Sequence, residues 1–596
     1  MATSPSNTSD QLRSARRRVR FSTAIILVLL LIVTARLFQI QILEGANMAQ
    51  AAQNLRLREE TIQPLRGSIV DQDGEVLAQS VERYDLVISQ EAFAQVTGDD
   101  KTFRREDPNT GKEIDISVDQ GIKELAGVLG FKEEDVRKAV IGTKQYSMIA
   151  KTVTPDIKNK ALALRLPGLV ANQVDVRTYP NGPVAGQVLG YVFSDGKAGL
   201  EGSQDEKLTG TPGKRTYEIG GDGILIPFSS KEDTPAVNGS TVKLTLDKDI
   251  QFAAQQYVAS ANTALSGDWT CAVVMKKNGE IVALADSTFM DPNDPAKTET
   301  DFRQSMCTTA AIEPGSTTKL ITIAAAMEEG KIGPLSTFNT PNRFTIGGQE
   351  FKDYAEHPTI NSTVAGIFAD SLNTGTVQIG DLLTKKQRYD WLTKFGANKM
   401  LDIGLQGSTP GYLAKPEEWD DRQQYTVLFG QGISQTVLHT AMQYQAIAND
   451  GVIKTPQLVD SYIAPDGTET KAERDPGTRI LSEDTVKKMD GLLETGTKDG
   501  YGRAGALDQW RVGSKTGTAE APSPNGGYEG TTITYAGIAP MDDPQYIVVV
   551  TTQRPKVPMN QSSTGPAFKD IMKQVLIQNK VAPSTGEPTI YPKTAE

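Results

Sequence analysis

Glu313-Pro-Gly-Ser-Thr-Thr-Lys-Leu-Ile-Thr-Ile-Ala-Ala-Ala-Met327 is the stretch from which this chain is best read. The Pro-Gly pair breaks the preceding structure, and Leu320–Met327 is apolar on every side. A buried helix therefore starts here, with Ser316 at its N-terminus. The helix dipole and free N–H groups at such an end favour developing negative charge. Ser316 and Lys319 are three residues apart and share one helix face. Alone the Ser-x-x-Lys pattern is cheap: Ser194-Asp-Gly-Lys197 fits it as a turn and Ser240-Thr-Val-Lys243 as the opening of a strand. Two more motifs follow in order, however. Ser371-Leu-Asn373 comes 55 residues after Ser316, and Lys515-Thr-Gly517 another 144 residues on. Ser-x-Asn recurs at Ser523-Pro-Asn525, but Lys-Thr-Gly occurs once. Its setting, Arg511-Val-Gly-Ser-Lys-Thr-Gly-Thr-Ala519, reads as a strand of small residues that an extended peptide could pair against.

Composition says why such a triple matters. The chain has 596 residues, 62 Lys+Arg against 73 Asp+Glu, two His and two Cys. That length is several domains' worth of chain. Hydrophobic content of 38 % excludes a polytopic membrane protein, and Val, Ile and Leu are spread widely enough to exclude a disordered one. Zinc enzymes and His-centred triads are poorly served by four scattered His and Cys residues. A net charge of −11 argues against nucleic acid as a partner. Without His, the remaining way to activate a serine is a nearby lysine.

The charge is unevenly placed. Residues 1–20 carry five Arg (Arg13, Arg16, Arg17, Arg18, Arg20) against Asp10, a local +4, which leaves −15 for the rest. Phe21 to Leu43 then gives 23 largely apolar residues, about 35 Å of helix against a ~30 Å hydrocarbon core. Arg36 and Gln39 near its far end can snorkel. The run lacks a small-residue cleavage site, so it reads as an uncleaved single-pass anchor rather than a signal peptide. The positive-inside rule leaves the Arg-rich tail in the cytoplasm and everything from about residue 44 outside.

Beyond the anchor, residues 46–60 read as a helical stalk, and Arg66–Ala78 as a hairpin around Asp71-Gln-Asp-Gly74. Ser117-Val-Asp-Gln120 caps a helix over Ile122–Leu129, stopped by Gly130, and a second helix starts near Lys132. Residues 231–240 look like a linker. After it come a strand at Thr241–Leu246, a helix at Asp249–Val258 and a hairpin of Ala272–Met275 with Glu280–Leu284. Thr531–Ile538 and Gln545–Thr551 look like further strands of the same sheet. Strands, helices, then strands again predict an α+β domain whose sheet is built from both ends of the segment. The tail from about 580, with three prolines, reads as loose.

The ordered triple resembles the signature of penicillin-binding proteins and β-lactamases, and the chain is similar over nearly its whole length to a class B penicillin-binding protein, a peptidoglycan D,D-transpeptidase. Arg66-Gly67 with Asp71, Gly74 and Ala78 resembles the family's N-terminal hallmark. Arg177-Thr-Tyr-Pro180, Gly190-Tyr191, Gly199-Leu-Glu201, Gly210 and Gly213 are similar to its pedestal motifs. Thr245-Leu-Asp247 with Ile250-Gln251, and Asp291-Pro-Asn293, resemble the start of its catalytic domain. Gln72 departs from the hallmark, which usually has Arg there, and the aromatic often found after the Gly-Leu-Glu is absent. The resemblance implies a cytoplasmic tail (1–20), a transmembrane helix (21–43), an elongated mixed pedestal (44–235), a transpeptidase domain with an antiparallel sheet flanked by helices (236–580) and a flexible tail (581–596).

It also implies roles. Ser316 would be the nucleophile, Lys319 its base, Ser371 a proton relay, and Asn373 a holder of the donor amide and of Lys319. Lys515, Thr516 and Thr518 would bind the terminal carboxylate, and Gly517 would let the substrate backbone approach. The N–H groups of Ser316 and Thr518 would form the oxyanion hole. No metal or cofactor is implied. The partners implied are peptidoglycan stem peptides, β-lactams as covalent inhibitors, a membrane glycan polymerase of the SEDS (FtsW/RodA) type and other division proteins. His357 and His439 both fall within the acyl-serine domain, so the glycosyltransferase domain of the bifunctional class is not expected. Length and motif spacing favour the division-type (FtsI-like) over the elongation-type enzyme. A carboxypeptidase or β-lactamase fits the anchor and the pedestal poorly. A sensor or catalytically idle scaffold is disfavoured by the roughly 20 cytoplasmic residues and the intact motifs. Cys271 and Cys307 are open to a disulfide or to two buried thiols.

Overall fold

The computed structural model describes residues 8–107, 110–193, 196–218, 229, 231–523, 526–557, 560 and 562–595; Ser194 and Pro524–Asn525, parts of two motif look-alikes, lie outside these. The chain folds as two compact units, each discontinuous in sequence. The smaller comprises Met1–Pro64, Asp85–Asn172 and Thr211–Val237, and the larger Leu65–Tyr84, Gln173–Gly210 and Asn238–Glu596.

In the smaller unit, helix α1 (Thr8–Phe38) continues through a π turn at Gln39–Leu43. An 18-residue window within Leu12–Leu43 has a mean hydropathy of 2.4, and among the described residues this is the one helix long and apolar enough to cross a membrane. Near its far end Arg36 donates to Gln39 at 2.8 Å. A second helix over Gly45–Arg56 matches the expected stalk only in part, because Leu57–Ile62 is a strand paired antiparallel with Gly213–Glu218. The β-branched Thr61 and Ile62 there find a partner strand more than 150 residues away in sequence. The expected linker is likewise a strand: Lys231–Thr234 extends the same sheet, and Val237 bridges to Thr211. The capped helix runs Val118–Leu129, with Ser117 accepting from Gln120 N–H and Gly130 ending it at φ +68°.

In the larger unit, the hairpin around Asp71–Gly74 forms, with Ile69 opposite Ala78 and Asp71 Oδ1 accepting from the N–H of Asp73 and Glu75. Asp247 caps helix α2 (Lys248–Leu265). Next come strands β1 (Trp269–Lys276) and β2 (Ile281–Asp286), helices α3 (Lys319–Glu328), α4 (Asn373–Asp381), α5 (Val437–Ala448) and α6 (Glu483–Asp499), strands β3 (Gly513–Pro522), β4 (Tyr528–Ala539) and β5 (Tyr546–Gln553), and helix α7 (Gly565–Gln578). The five strands form one antiparallel sheet in the order β2-β1-β5-β4-β3. This is the sheet expected from both ends of the segment, with β3 at its edge.

Strand alternation sorts the core into two layers. Cys271, Val273 and Met275 join the cluster containing residues of α3, α5 and α6. Ala272 and Val274 face Ile250, Ala254 and Val258 of α2 and Phe568, Ile571 and Met572 of α7. Both sheet faces are covered, so its strands read as nearly continuous apolar runs. Cys271 and Cys307 are joined as a disulfide with a Cα–Cα distance of 5.8 Å, both fully buried.

The tail is not loose. Trp510 Nε1 donates to the Ala582 carbonyl at 3.0 Å and Ser584 Oγ accepts from Arg511 N–H at 2.9 Å. Thr594 forms a β-bridge to Ser362. Proline-rich sequence has no hydrophobic period, yet extended backbone of this kind can still be held through its carbonyls and remaining N–H groups.

Candidate active site

The Pro314-Gly315 pair turns the chain into a short 3₁₀ turn, Gly315–Thr318, that leads directly into α3. Gly315 has φ +56°, and a Cβ there would lie 2.6 Å from the Thr518 carbonyl oxygen. Its N–H donates to the Gly430 carbonyl at 3.0 Å. Glu313 braces the same turn: its Oε1 accepts from Gly432 N–H at 2.8 Å and from Tyr528 Oη at 3.0 Å. Burial raises the Glu313 pKa, opposed by these hydrogen bonds. On this turn Ser316 is half-buried, and Lys319, one turn on, is fully buried.

The Lys319 ammonium reaches the second motif. Nζ donates to the Ser371 carbonyl at 2.5 Å, to Ser371 Oγ at 3.3 Å and to Asn373 Oδ1 at 2.7 Å. Ser371 holds a left-handed backbone at φ +57°, a strain of roughly 1 kcal/mol or more for a non-glycine residue. The charge-assisted bond from Lys319 to its carbonyl helps to offset that strain. Asn373 opens α4, and its Nδ2 donates to the Lys352 carbonyl at 3.0 Å.

The third motif closes the cluster from β3. Lys515 Nζ donates to Ser371 Oγ at 2.8 Å and to the Thr516 carbonyl at 2.9 Å. Lys515 is 2 % exposed. Gly517 lies against the nucleophile turn: a Cβ there would come within 3.0 Å of Pro314 O and Thr317 Cγ2. The close approach this glycine permits is thus between β3 and the Ser316 turn. Thr516 and Thr518 flank Gly517, and their buried hydroxyls have no hydrogen-bond partner among the described residues. Each such hydroxyl costs about 1–3 kcal/mol unless something else satisfies it, which suits donors to an anionic ligand.

The electrostatics follow from burial without a compensating carboxylate. Desolvation lowers Lys319 to about 7, against the opposing pull of Asp353. Desolvation and then repulsion from Lys319 push Lys515 well down, opposed by Asp370. A lysine neutral near pH 7 and bonded to a serine hydroxyl is equipped for general-base work.

Ser316, Lys319, Ser371, Asn373, Lys515 and Gly517 are thus brought into one cluster, and the edge strand β3 carries Thr516 and Thr518 beside it. Sequence reading missed the layer behind. Asp353 accepts from Thr374 N–H at 3.0 Å, Thr374 Oγ1 at 2.7 Å and His357 Nε2 at 3.0 Å. It thereby fixes the first turn of α4. No motif marks Asp353; its position after the strand Gln349–Lys352 is its only local signal. His439 is structural: it is buried, its Nε2 meets the Lys399 carbonyl at 2.8 Å, and burial lowers its pKa to about 4.

The pedestal-type motifs also meet in space within the larger unit. Arg66 Nε donates to Glu201 Oε2 at 2.7 Å and Arg177 Nε to Glu201 Oε1 at 2.6 Å. Asn293 Oδ1 accepts from Tyr179 N–H at 3.1 Å and its Nδ2 donates to the Tyr179 carbonyl at 3.0 Å. Gln72 donates to Asp247 at 2.9 Å, a neutral group in the place of the hallmark arginine.

Comparison with known proteins agrees with this geometry. Residues 270–573 match the family model described as penicillin binding protein transpeptidase domain, and residues 61–244 the penicillin-binding protein dimerisation domain. Penicillin-binding protein PbpB of Mycolicibacterium smegmatis is 32 % identical over 97 % of this chain and 96 % of its own. Peptidoglycan D,D-transpeptidase FtsI of Escherichia coli is 28 % identical, covering 94 % and 92 %. The crystal structure of penicillin binding protein 3 from Mycobacterium tuberculosis complexed with aztreonam superposes with a TM-score of 0.68 at 26 % identity, covering 90 % of this chain and all of that one.

Proposed function

The chain belongs to the class B penicillin-binding proteins, and from that premise we propose that it cross-links peptidoglycan stem peptides through an acyl-enzyme on Ser316. The observation that carries the reading is the buried Lys319–Ser371–Lys515 hydrogen-bonded chain one turn from Ser316. Neutral Lys319 takes the Ser316 hydroxyl proton as Oγ attacks the penultimate D-Ala carbonyl. Lys515 and the two unsatisfied threonine hydroxyls hold the terminal carboxylate. The N–H groups of Ser316 and Thr518 stabilise the oxyanion, an effect worth about 3–4 kcal/mol for one such donor. The proton passes through Ser371 to the leaving amine as the D-Ala–D-Ala bond breaks. An amine of a second stem peptide then attacks the ester carbonyl, forms the new amide and releases Ser316.

The apolar helix α1 is the membrane anchor in this reading, with the Arg-rich end in the cytoplasm and the chain from about residue 44 onward outside, at the cytoplasmic membrane. The pedestal covers about residues 44–235 and the catalytic domain 236–580. A SEDS-type glycan polymerase supplies the strands to be cross-linked, and the relatives named FtsI and PbpB favour work at the division septum alongside other division proteins. β-Lactams acylate the same serine.

The test is labelling of the full chain with a fluorescent penicillin. Wild type forms a covalent adduct and Ser316→Ala does not. No adduct on wild type overturns the enzymatic reading, and an adduct retained by the variant reassigns the nucleophile. Depletion in a growing cell separates the two wall machineries: filaments support the septal role, and rounded cells the elongation role.

A further inference from the structure

The last described residues run across the back of the active site. Thr589 N–H donates to Glu494 Oε2 at 2.9 Å and Tyr591 N–H to Thr495 Oγ1 at 3.0 Å, which lays the chain over α6. The strand Ile360–Thr363 then receives it. Thr363 Oγ1 donates to the Pro592 carbonyl at 2.6 Å, Thr363 N–H to the Lys593 carbonyl at 2.9 Å, and Ala595 N–H to the Asn361 carbonyl at 3.1 Å. The fit is tight, since a Cβ on Gly366 would lie 2.0 Å from the Lys593 carbonyl oxygen. With Ser584 already bonded to Arg511 just ahead of β3, this segment ties the approach to the third motif to the approach to the second.

At its end, Lys593 Nζ donates to Asp370 Oδ1 at 2.7 Å and to the Asp499 carbonyl at 3.0 Å. Asp370 immediately precedes Ser371, whose Oγ accepts from Lys515. We propose that residues 588–595 form a strap serving the catalytic cluster, in which Lys593 pins the loop presenting Ser371 and offsets part of the pull of Asp370 on Lys515. Lys593 is a positioning residue, acting through Asp370. The inference rests on the acyl-serine reading given above.

Charge placement supports it. The charged and titratable groups that interact with the lysine pair or with Asp370 are Asp353, His357, Tyr501 and Lys593. Asp353 is occupied by Thr374 and His357, and Asp370 by Lys593. Each carboxylate that pulls on a lysine, Asp353 on Lys319 and Asp370 on Lys515, thus also has a partner of its own, and for Asp370 that partner is a cation.

The experiment is the pH profile of acylation by fluorescent penicillin, measured on the full chain as wild type, Lys593→Gln, Lys593→Arg and Asp370→Asn/Lys593→Gln. In Lys593→Gln, Asp370 faces Lys515 uncompensated and the acid limb moves up by about 0.3–0.5 of a pH unit, a two- to threefold loss of rate below neutrality. Lys593→Arg keeps the wild-type limb, and the double variant returns to it. The position of the limb is independent of how much of a variant is folded, so poor folding leaves the readout intact. A Lys593→Gln profile that overlays wild type overturns the proposal, as does a shift that persists in the double variant. Wild type that forms no adduct overturns the acyl-serine reading itself.

Discussion

Around Glu201, charge is matched: two arginines meet one fully buried carboxylate, and Arg66 also reaches Asp205 at 2.5 Å. Around Lys319 it is not. Two ammonium groups are buried with hydroxyl, amide and carbonyl oxygens as their hydrogen-bond partners. Both clusters lie in the larger unit and both are centred on buried groups, yet they respond differently to desolvation. Burial works against the charge of Arg66, but the attraction and hydrogen bonds of Glu201 and Asp205 outweigh it and raise its proton affinity. The lysine cluster has no such compensation and lowers its proton affinity instead. Matched charge holds the fold together; unmatched charge makes a base.

The largest test of this contrast removes the base. Lys319→Met is expected to slow acylation by roughly 10²–10⁴-fold while leaving the melting temperature unchanged or higher, since a buried ammonium has been replaced by an apolar side chain. A large loss of stability in Lys319→Met would mean that the lysine holds the fold after all. Glu201→Gln tests the other side. It leaves two buried arginines poorly compensated and should destabilise the fold by about 3–5 kcal/mol, read by chemical or thermal unfolding. The folded fraction should keep a normal acylation pH profile, and a thermally silent Glu201→Gln would break the comparison.

A smaller effect is the pH profile of wild type. Lys319 acts as a base only when neutral, and its proton affinity is lowered to about 7. Acylation should therefore reach a plateau above that pH and fall about tenfold per unit below it. An acid limb near the ordinary lysine value would show the pair to be charge-compensated. Smallest is Thr516→Val, which removes a buried hydroxyl without a partner among the described residues. It should stabilise the unliganded chain by about 1 kcal/mol and weaken acylation by up to about tenfold. A variant that acylates normally takes Thr516 out of carboxylate binding.

The sequence was legible where chemistry demands particular side chains at fixed spacing. Ser316 and Lys319 had to share a helix face, Ser371 and Asn373 had to flank one turn, and Lys515 needed a strand beside them. The sheet was legible because apolar runs such as Ala272–Met275 and Gln545–Thr551 announce strands wherever they fall. What escaped depends on contacts between residues far apart. Asp353 and Lys593 each act through one partner, with no period or motif to mark them. The strand at Leu57–Ile62 followed a helical stretch without a break, and its partner is over 150 residues away. The 581–595 segment carried prolines, which suggested looseness, while its backbone was already committed to α6 and to the strand at Ile360–Thr363.

The order of strands in the central sheet bears on how the molecule is made. β5 sits between β1 and β4, so Cys271 pairs with Thr551 across 280 residues of intervening chain. Ribosomes deliver Ser316 and Lys319 long before the strands that complete the sheet and bring Lys515 beside them. Such pairings close slowly, because a long loop must be ordered before any contact rewards it. The nascent chain therefore carries its nucleophile through about a third of synthesis without a site to activate it, and reactivity toward a penicillin becomes a clock for the end of folding.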